Sequence, residues 1–346
     1  MQISLGSRLV GPNQPPLIIA ELSGNHNQDL NRGLAIVDAM AAAGAHAIKL
    51  QTYTADTMTL PGVHRIEDPH SLWYGRELHD LYQEAHTPWE WHKPLFDRAR
   101  AHGMLAFSSP FDETAVDFLE TLDVPAYKIA SFENTDWPLL RRVAATGKPV
   151  IMSTGASQLS EIAEAVQILR EAGCKDLVLL KCTSTYPATP ENTNLRTLPH
   201  FQQLFPDCLV GLSDHTMGVG AAVAAVALGA CAVEKHVTLR RADGGVDSAF
   251  SLEPVEVAQL VTETERAWQS LGQVQYGVQR AEQNSRLYKR SLYVAQDIKA
   301  GDLFTKENLR VVRPGDGLPP RYYDQVLGKP ARQDLKASTP LTWEAL

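Results

Sequence analysis

The chain has 346 residues, 44% hydrophobic and 21% charged, with a formal charge of -8 at neutral pH. That length fits one large domain plus a small one, and the acidity excludes general binding to nucleic acid or acidic membranes. Four cysteines (Cys174, Cys182, Cys208, Cys231) without C-x-x-C spacing signal neither a zinc ribbon nor a disulfide scaffold. The N-terminal residues lack the charged start and long apolar core of an export leader, and no apolar span reaches bilayer length. Reduced thiols and a cytoplasmic location are the expectation.

In chain order, residues 17–20 form a short apolar run ending at Glu21, followed by a helix capped by Asp29 or Asn31 and stopped at Gly44. A second run, 47–50, delivers Lys49 and Gln51. Residues 52–87 then read as an irregular insertion of the kind that forms a lid or rim. Beyond it the rhythm is regular. Strands starting near 104, 127, 149 and 177 alternate with helices and end at Ser109, at Lys128 and Ser131, at Ser153, and at Ser184 and Tyr186. Two last runs, 209–212 and 231–233, stop at Ser213-Asp214-His215 and Glu234-Lys235-His236, and a helix follows from about 254 to 271. Eight strand–helix units in this length predict a (β/α)₈ TIM barrel over residues 1–271, with all eight polar strand ends at one mouth. Residues 272–289 read as a linker. Residues 290–346 read as a small β-rich module with turns at Gly301-Asp302, Pro314-Gly315 and Gly317.

A single histidine among eleven is ordinarily a cap or a loop hydrogen-bonder. A matched pair, His215 and His236, at consecutive strand ends suits a divalent metal, with Asp214 or Glu234 as an oxygen ligand or ring orienter. Lys49 and Lys128, interleaved with Ser109, Ser131, Ser153 and Ser213, suit a phosphate or a phosphorylated carboxylate. Glu21 is the candidate for proton transfer or for gripping a sugar hydroxyl. Two other readings remain open from the residues alone. One is a Schiff-base aldolase using Lys128; the other is a non-catalytic sugar-binding protein.

The stretches IIAELSGNHN (18–27), IKLQTY (48–53), FSSPFD (107–112), YKIAS (127–131), STG (153–155), GLSDHT (211–216) and EKH (234–236) occur in an order that resembles the sialic acid synthase family over nearly the whole chain. The tail, from RSLYVAQDIKAGDLFTKENL to RPGDG, is similar to the SAF or antifreeze-like (β-clip) domain that follows the barrel there. AELSGNHN, ASFENTD (130–136) and CTSTYPA (182–188) resemble the pseudaminic acid-forming branch more than the neuraminate or legionaminate branches.

The resemblance implies a transferase that condenses phosphoenolpyruvate with an N-acylated amino sugar in its aldehyde form. For the pseudaminic branch that sugar is 2,4-diacetamido-2,4,6-trideoxy-L-altrose. It implies that Lys49, Ser109, Lys128, Ser131, Ser153, Ser184 and Ser213 hold phosphoenolpyruvate, and that His215 and His236 bind Mn²⁺ or Mg²⁺. Glu21, Gln51, Tyr186 and Asp247 are then expected to face the sugar. It further implies a domain-swapped homodimer in which Arg313 reaches an N-acyl group in trans. Ser109 stands where a threonine is common in the family, and it keeps the hydroxyl.

Overall fold

The computed structural model describes all 346 residues, which form two compact units, Met1–Gly272 and Gln273–Leu346. The first unit opens with an antiparallel hairpin, β1 (Ile3–Leu5) and β2 (Arg8–Val10), that the sequence pattern does not announce. Its residues Ile3, Leu5 and Val10 are buried in the main core. Gly6, in the turn at φ +55°, leaves so little room that a Cβ would stand 3.2 Å from Pro125. Pro125 and Leu105 lie where barrel strands begin, so the hairpin covers the lower end of the barrel.

The barrel follows. Its strands are β3 (Leu17–Glu21), β4 (Ala47–Thr52), β5 (Leu105–Pro110), β6 (Tyr127–Ile129), β7 (Val150–Ser153), β8 (Leu177–Cys182), β9 (Leu209–Ser213) and β10 (Ala232–His236). All pair in parallel, and β10 closes onto β3. Nearly every strand residue is buried, because one face fills the barrel and the other meets the helices, so the runs are continuously apolar until their last residues.

The outer helices are α1 (Leu30–Ala42), then, after the insertion, α4 (Trp89–Ala101), α5 (Glu113–Glu120), α6 (Trp137–Ala144), α7 (Leu159–Glu171), α8 (Thr197–Leu204), α9 (Gly220–Ala227) and α10 (Pro254–Leu271). Their starts are chemically specified: Asp29, Asp112 and Asp136 each accept a hydrogen bond from an amide of the first turn. None is long and apolar enough to cross a membrane.

Residues 52–87 are not structureless as expected. They carry two short helices, α2 (Ala55–Met58) and α3 (Leu78–Ala85), and a bridge between Arg65 and Glu77. Residues 272–289, expected as a plain linker, wind into a 3-10 helix at Arg280–Tyr288, whose Glu282 side chain accepts from the Gln279 amide. The second unit then pairs β11 (Ser291–Val294) with β12 (Leu309–Val312) and adds the single turn α11 (Tyr323–Val326). Its own core is built on Leu292, Val294, Ile298, Phe304 and Val326.

Candidate active site

Parallel register brings the chemistry together. Glu21 is the cross-strand partner of both Lys49 and His236, Gln51 of Ser109, and Glu234 of Ser213. Because side chains alternate along a strand, Ser213 and Glu234 point into the barrel while their neighbours Asp214 and Lys235 point out. Asp214 is therefore not available as the oxygen ligand suggested by its sequence position. Its Oδ2 accepts from Lys235 Nζ at 2.8 Å and its Oδ1 from Thr216, and Lys235 also donates to the carbonyls of Thr216 and Gly218. This buried pair fastens the loop that carries His215.

Inside the barrel four charged groups share a nearly dry floor. Lys49 Nζ lies 2.5 Å from Glu21 Oε2 and 3.7 Å from Glu234 Oε1, and Lys128 Nζ lies 3.9 Å from Glu234 Oε1. Burial works against the Lys49 ammonium, but Glu21 and Glu234 more than offset it and hold its pKa above the ordinary value. For Lys128 burial prevails, helped by the charge of Lys49, and its pKa falls. Burial opposes charge on Glu234 too, yet Lys128 and Lys49 keep that carboxylate below its usual range.

Hydroxyls complete the floor: Lys49 donates to Ser109 Oγ at 3.2 Å and Lys128 to Ser153 Oγ at 2.7 Å. Ser131 Oγ accepts from the Gly155 amide at 3.0 Å. A Cβ on Gly155 would collide with Ser184 Oγ and stand 2.9 Å from Ser131 Oγ, so only glycine lets these two hydroxyls approach.

Above the floor is a cavity of about 690 Å³, the size of a small-molecule site. Lys49, Gln51, Lys128, Ser131, Ser153, Tyr186, Ser213, His215, His236 and Asp247 all line it. Glu21, Ser109 and Ser184 do not. Glu21 is completely buried beneath, its Oε1 accepting from Gln51 at 3.0 Å and its other oxygen facing Lys49. The expectation that Glu21 faces the sugar is thus not matched by its placement; it acts on the cavity through Lys49 and Gln51. Arg313 belongs to the second unit, at the end of the β12 segment.

The two imidazoles stand 5.3 Å apart between ring centres, with Tyr186 packed 4.5 Å from His215 and Phe250 5.0 Å from His236. His215 Nδ1 lies 3.0 Å from the Thr183 carbonyl, which puts a proton on Nδ1 and leaves the Nε2 lone pair free to ligate a cation. His236 Nδ1 is buried without a hydrogen-bond partner, 3.7 Å from Asp247 Oδ2. Burial, together with the cations around it, keeps His236 neutral, far below its ordinary pKa. Burial also acts against a charged His215, but the adjacent Cys182 thiol leaves that ring above its ordinary value. Two imidazoles, one with an orphaned nitrogen and a carboxylate beside it, fit a divalent cation. No ready-made set of three ligating side chains surrounds them, so substrate and water oxygens would complete the shell.

Two residues of the site escape the sequence pattern. Glu133 follows Ser131 in a 3-10 turn (Ser131–Glu133), so it returns to the cavity after β6 has ended. Burial pushes its carboxyl up to about 7 against the pull of Lys128, and its Oε2 has no partner. Cys182 is the inward residue of β8, 4.0 Å from His215 Nδ1. The insertion forms a flap over the cavity: Trp73 Nε1 donates to the Val246 carbonyl at 3.0 Å, and its ring lies 5.9 Å from Tyr186.

A closed parallel barrel with a charged floor and a histidine pair at its mouth defines the class, and family comparison agrees. The NeuB family model matches residues 36–276 and the SAF domain model matches residues 289–346, so the chain belongs to the NeuB family. It is 44% identical over 322 residues to the pseudaminic acid synthase of Campylobacter jejuni subsp. jejuni serotype O:2, covering 92% of this chain and 93% of that one. The pseudaminic acid synthase of Helicobacter pylori is 40% identical over 334 residues, covering 95% and 97%. Among solved structures, N-acetylneuraminic acid synthetase from Leptospira borgpetersenii serovar Hardjo-bovis, in complex with citrate, superimposes with a TM-score of 0.74 at 34% identity. That match covers 82% of this chain and 95% of the other.

Proposed function

We propose that the chain is a pseudaminic acid synthase, condensing phosphoenolpyruvate with 2,4-diacetamido-2,4,6-trideoxy-L-altrose to give pseudaminic acid and phosphate in the cytoplasm. The observation that carries this is the convergence of Lys49, Lys128, His215 and His236 on one cavity, in a chain 44% identical to a protein of that name. Lys49 and Lys128, with Ser131, Ser153 and Ser213, hold the anionic enol phosphate at the floor, and Ser109 and Ser184 support them from behind. Glu21 keeps Lys49 charged and aimed. Gln51, Tyr186 and Asp247 face the sugar.

His215 and His236 would hold Mn²⁺ or Mg²⁺, which when bound supplies Lewis-acid polarisation of the aldehyde oxygen. C3 of the enol attacks the aldehyde carbon, water adds at C2, and the tetrahedral carbon expels phosphate by C–O cleavage. Glu133, protonated part of the time at neutral pH, is placed to move a proton during the water step. We also assign a domain-swapped homodimer in which Arg313 reaches an N-acyl group of the partner's substrate. Mixing an Arg313→Ala chain with a Lys128→Met chain then restores activity that neither variant has alone.

The test is phosphate release from phosphoenolpyruvate and Mn²⁺, comparing the altrose sugar with N-acetylmannosamine, with and without EDTA. EDTA-sensitive release with the altrose sugar alone is the expected result. Release with N-acetylmannosamine instead moves the chain to the neuraminate branch. Borohydride trapping of a substrate on Lys128 would replace the reading with a Schiff-base aldolase, and sugar binding indifferent to metal and phosphoenolpyruvate would replace it with a binding protein.

A further inference from the structure

A second cavity, of about 1260 Å³, opens outside the barrel between the starts of α7 and α8, and Cys182 lines both it and the cavity at the barrel mouth. The register of β8 explains its chemistry. Cys182 pairs with the inward Ser213, so its neighbour Lys181 points outward, into the second cavity. Lys181 is only 7% exposed, and its ammonium donates to the Thr183 hydroxyl with no carboxylate paired to it. Burial lowers its pKa, and Cys182 and Asp214 restore only part of the loss. The Thr183 hydroxyl in turn donates to the Asn192 carbonyl at 3.0 Å, which also accepts from Asn194 Nδ2 at 3.0 Å. The Asn194 carbonyl then accepts the amide of Thr197, the first residue of α8, at 3.0 Å. This relay sets Lys181 beside the first turn of α8, where Arg196 and His200, four positions apart, share one face and line the same cavity. Glu191 is the single carboxylate on the lining, and it is exposed. Leu159 and Ile162, one turn apart on α7, and Phe201 of α8 supply apolar surface, with Leu159 left 47% exposed.

A buried ammonium without a counterion is half of an ion pair, and an anion brought to it regains what burial took away. Arg196 adds a planar fork at the entrance and His200 a ring nitrogen, and the cavity holds far more than a bare phosphate. We propose that this cavity is a second ligand site, taking an organic phosphate whose phosphate meets Lys181 and Arg196 and whose less polar body lies along Leu159, Ile162 and Phe201, and that its occupancy is felt at His215. Thr183 makes the connection. Its hydroxyl holds Lys181 while its carbonyl lies 3.0 Å from His215 Nδ1, so a phosphate that draws Lys181 off the hydroxyl loosens the residue that orients the His215 ring. The assignment does not depend on which reaction the barrel mouth performs.

The experiment titrates the full-length, metal-free protein by calorimetry with adenosine 5′-monophosphate, a phosphate joined to a flat body, and separately with inorganic phosphate. The chains are the wild type, Lys181→Met, Arg196→Gln and Lys128→Met. The nucleotide is expected to bind the wild type and Lys128→Met alike, and more tightly than inorganic phosphate does. Lys181→Met and Arg196→Gln should each weaken it about tenfold or more. Arg196 is exposed, so its variant keeps the test sound even if Lys181→Met folds poorly. The His215 ring resonance, identified by its loss in His215→Ala, should shift as the nucleotide saturates the wild type and stay fixed in Lys181→Met. Binding lost in Lys128→Met and kept in the other two variants places the anion at the barrel floor and overturns the assignment. So does binding to no chain, binding that neither Lys181→Met nor Arg196→Gln weakens, or a nucleotide bound no more tightly than inorganic phosphate. A His215 resonance unmoved at saturation overturns the link through Thr183.

Discussion

Lys49 lies 2.5 Å from Glu21 and 3.7 Å from Glu234, while Lys128 lies 3.9 Å from Glu234, so Lys49 is the ion-pair partner of Glu21 and shares Glu234 with Lys128 at the barrel floor. Replacing Lys49 with methionine strands Glu21 and leaves Glu234 to Lys128 alone. Lys49→Met should therefore abolish phosphate release and lower unfolding free energy by about 3–5 kcal/mol. Adding Glu21→Gln should recover part of the stability and none of the activity. Urea melts of the wild type and the two variants, run beside the phosphate assay, separate the two effects.

The histidine pair predicts a ligand effect that needs no turnover. Saturating Mn²⁺ should raise the melting temperature of the wild type and leave His215→Ala and His236→Ala unmoved. Because His215 holds its proton above the ordinary value, loading there releases a proton, and Mn²⁺ affinity should weaken as pH falls from 8 to 6. Calorimetric titration at the two pH values measures this directly.

Glu133 gives a pH dependence of defined sign. Its folded-state pKa of about 7 lies above its ordinary value, so its contribution to stability is complete below the unfolded pKa and is lost as pH rises through 7. The loss is at most about 3 kcal/mol. Glu133→Gln should consequently melt at a higher temperature than the wild type at pH 8 and show little difference at pH 5, with phosphate release reduced at both.

Lys235 and Asp214, paired at 2.8 Å outside the barrel wall, secure the loop from which His215 projects. Lys235→Met leaves Asp214 buried and unpaired and should cost about 3–5 kcal/mol. It should also weaken Mn²⁺ binding although it touches no ligand, whereas the paired change Lys235→Met with Asp214→Asn should restore stability before it restores metal affinity. Thermal melts with and without Mn²⁺ distinguish the outcomes.

The barrel was legible because strands buried on both faces read as continuous apolar runs that end abruptly, and each inward residue at such an end is polar. Lys49, Lys128, His215 and His236 were found that way. Asp214 adjoins His215 in sequence, but the two-residue period of the strand turns it outward onto Lys235. Glu133 was missed because the turn after β6 folds it back, a reversal that no strand periodicity records, although the ASFENTD segment contains it. The hairpin of β1 and β2 went unread because two three-residue strands carry too little pattern to stand out. The standing of Glu21 as Lys49's partner depended on side-chain directions that only packing decides.

The hairpin under the barrel also bears on the order of events. With Ile3, Leu5 and Val10 buried at the lower end, everything that enters or leaves the floor passes the flap. In the proposed reaction the anion held by Lys49 and Lys128 would sit deepest, with the aldehyde between it and solvent. Reactants therefore queue, the phosphorylated one ahead of the sugar. An excess of sugar stands in the doorway, which makes inhibition by high sugar concentration, relieved by raising phosphoenolpyruvate, the natural kinetic signature of this architecture.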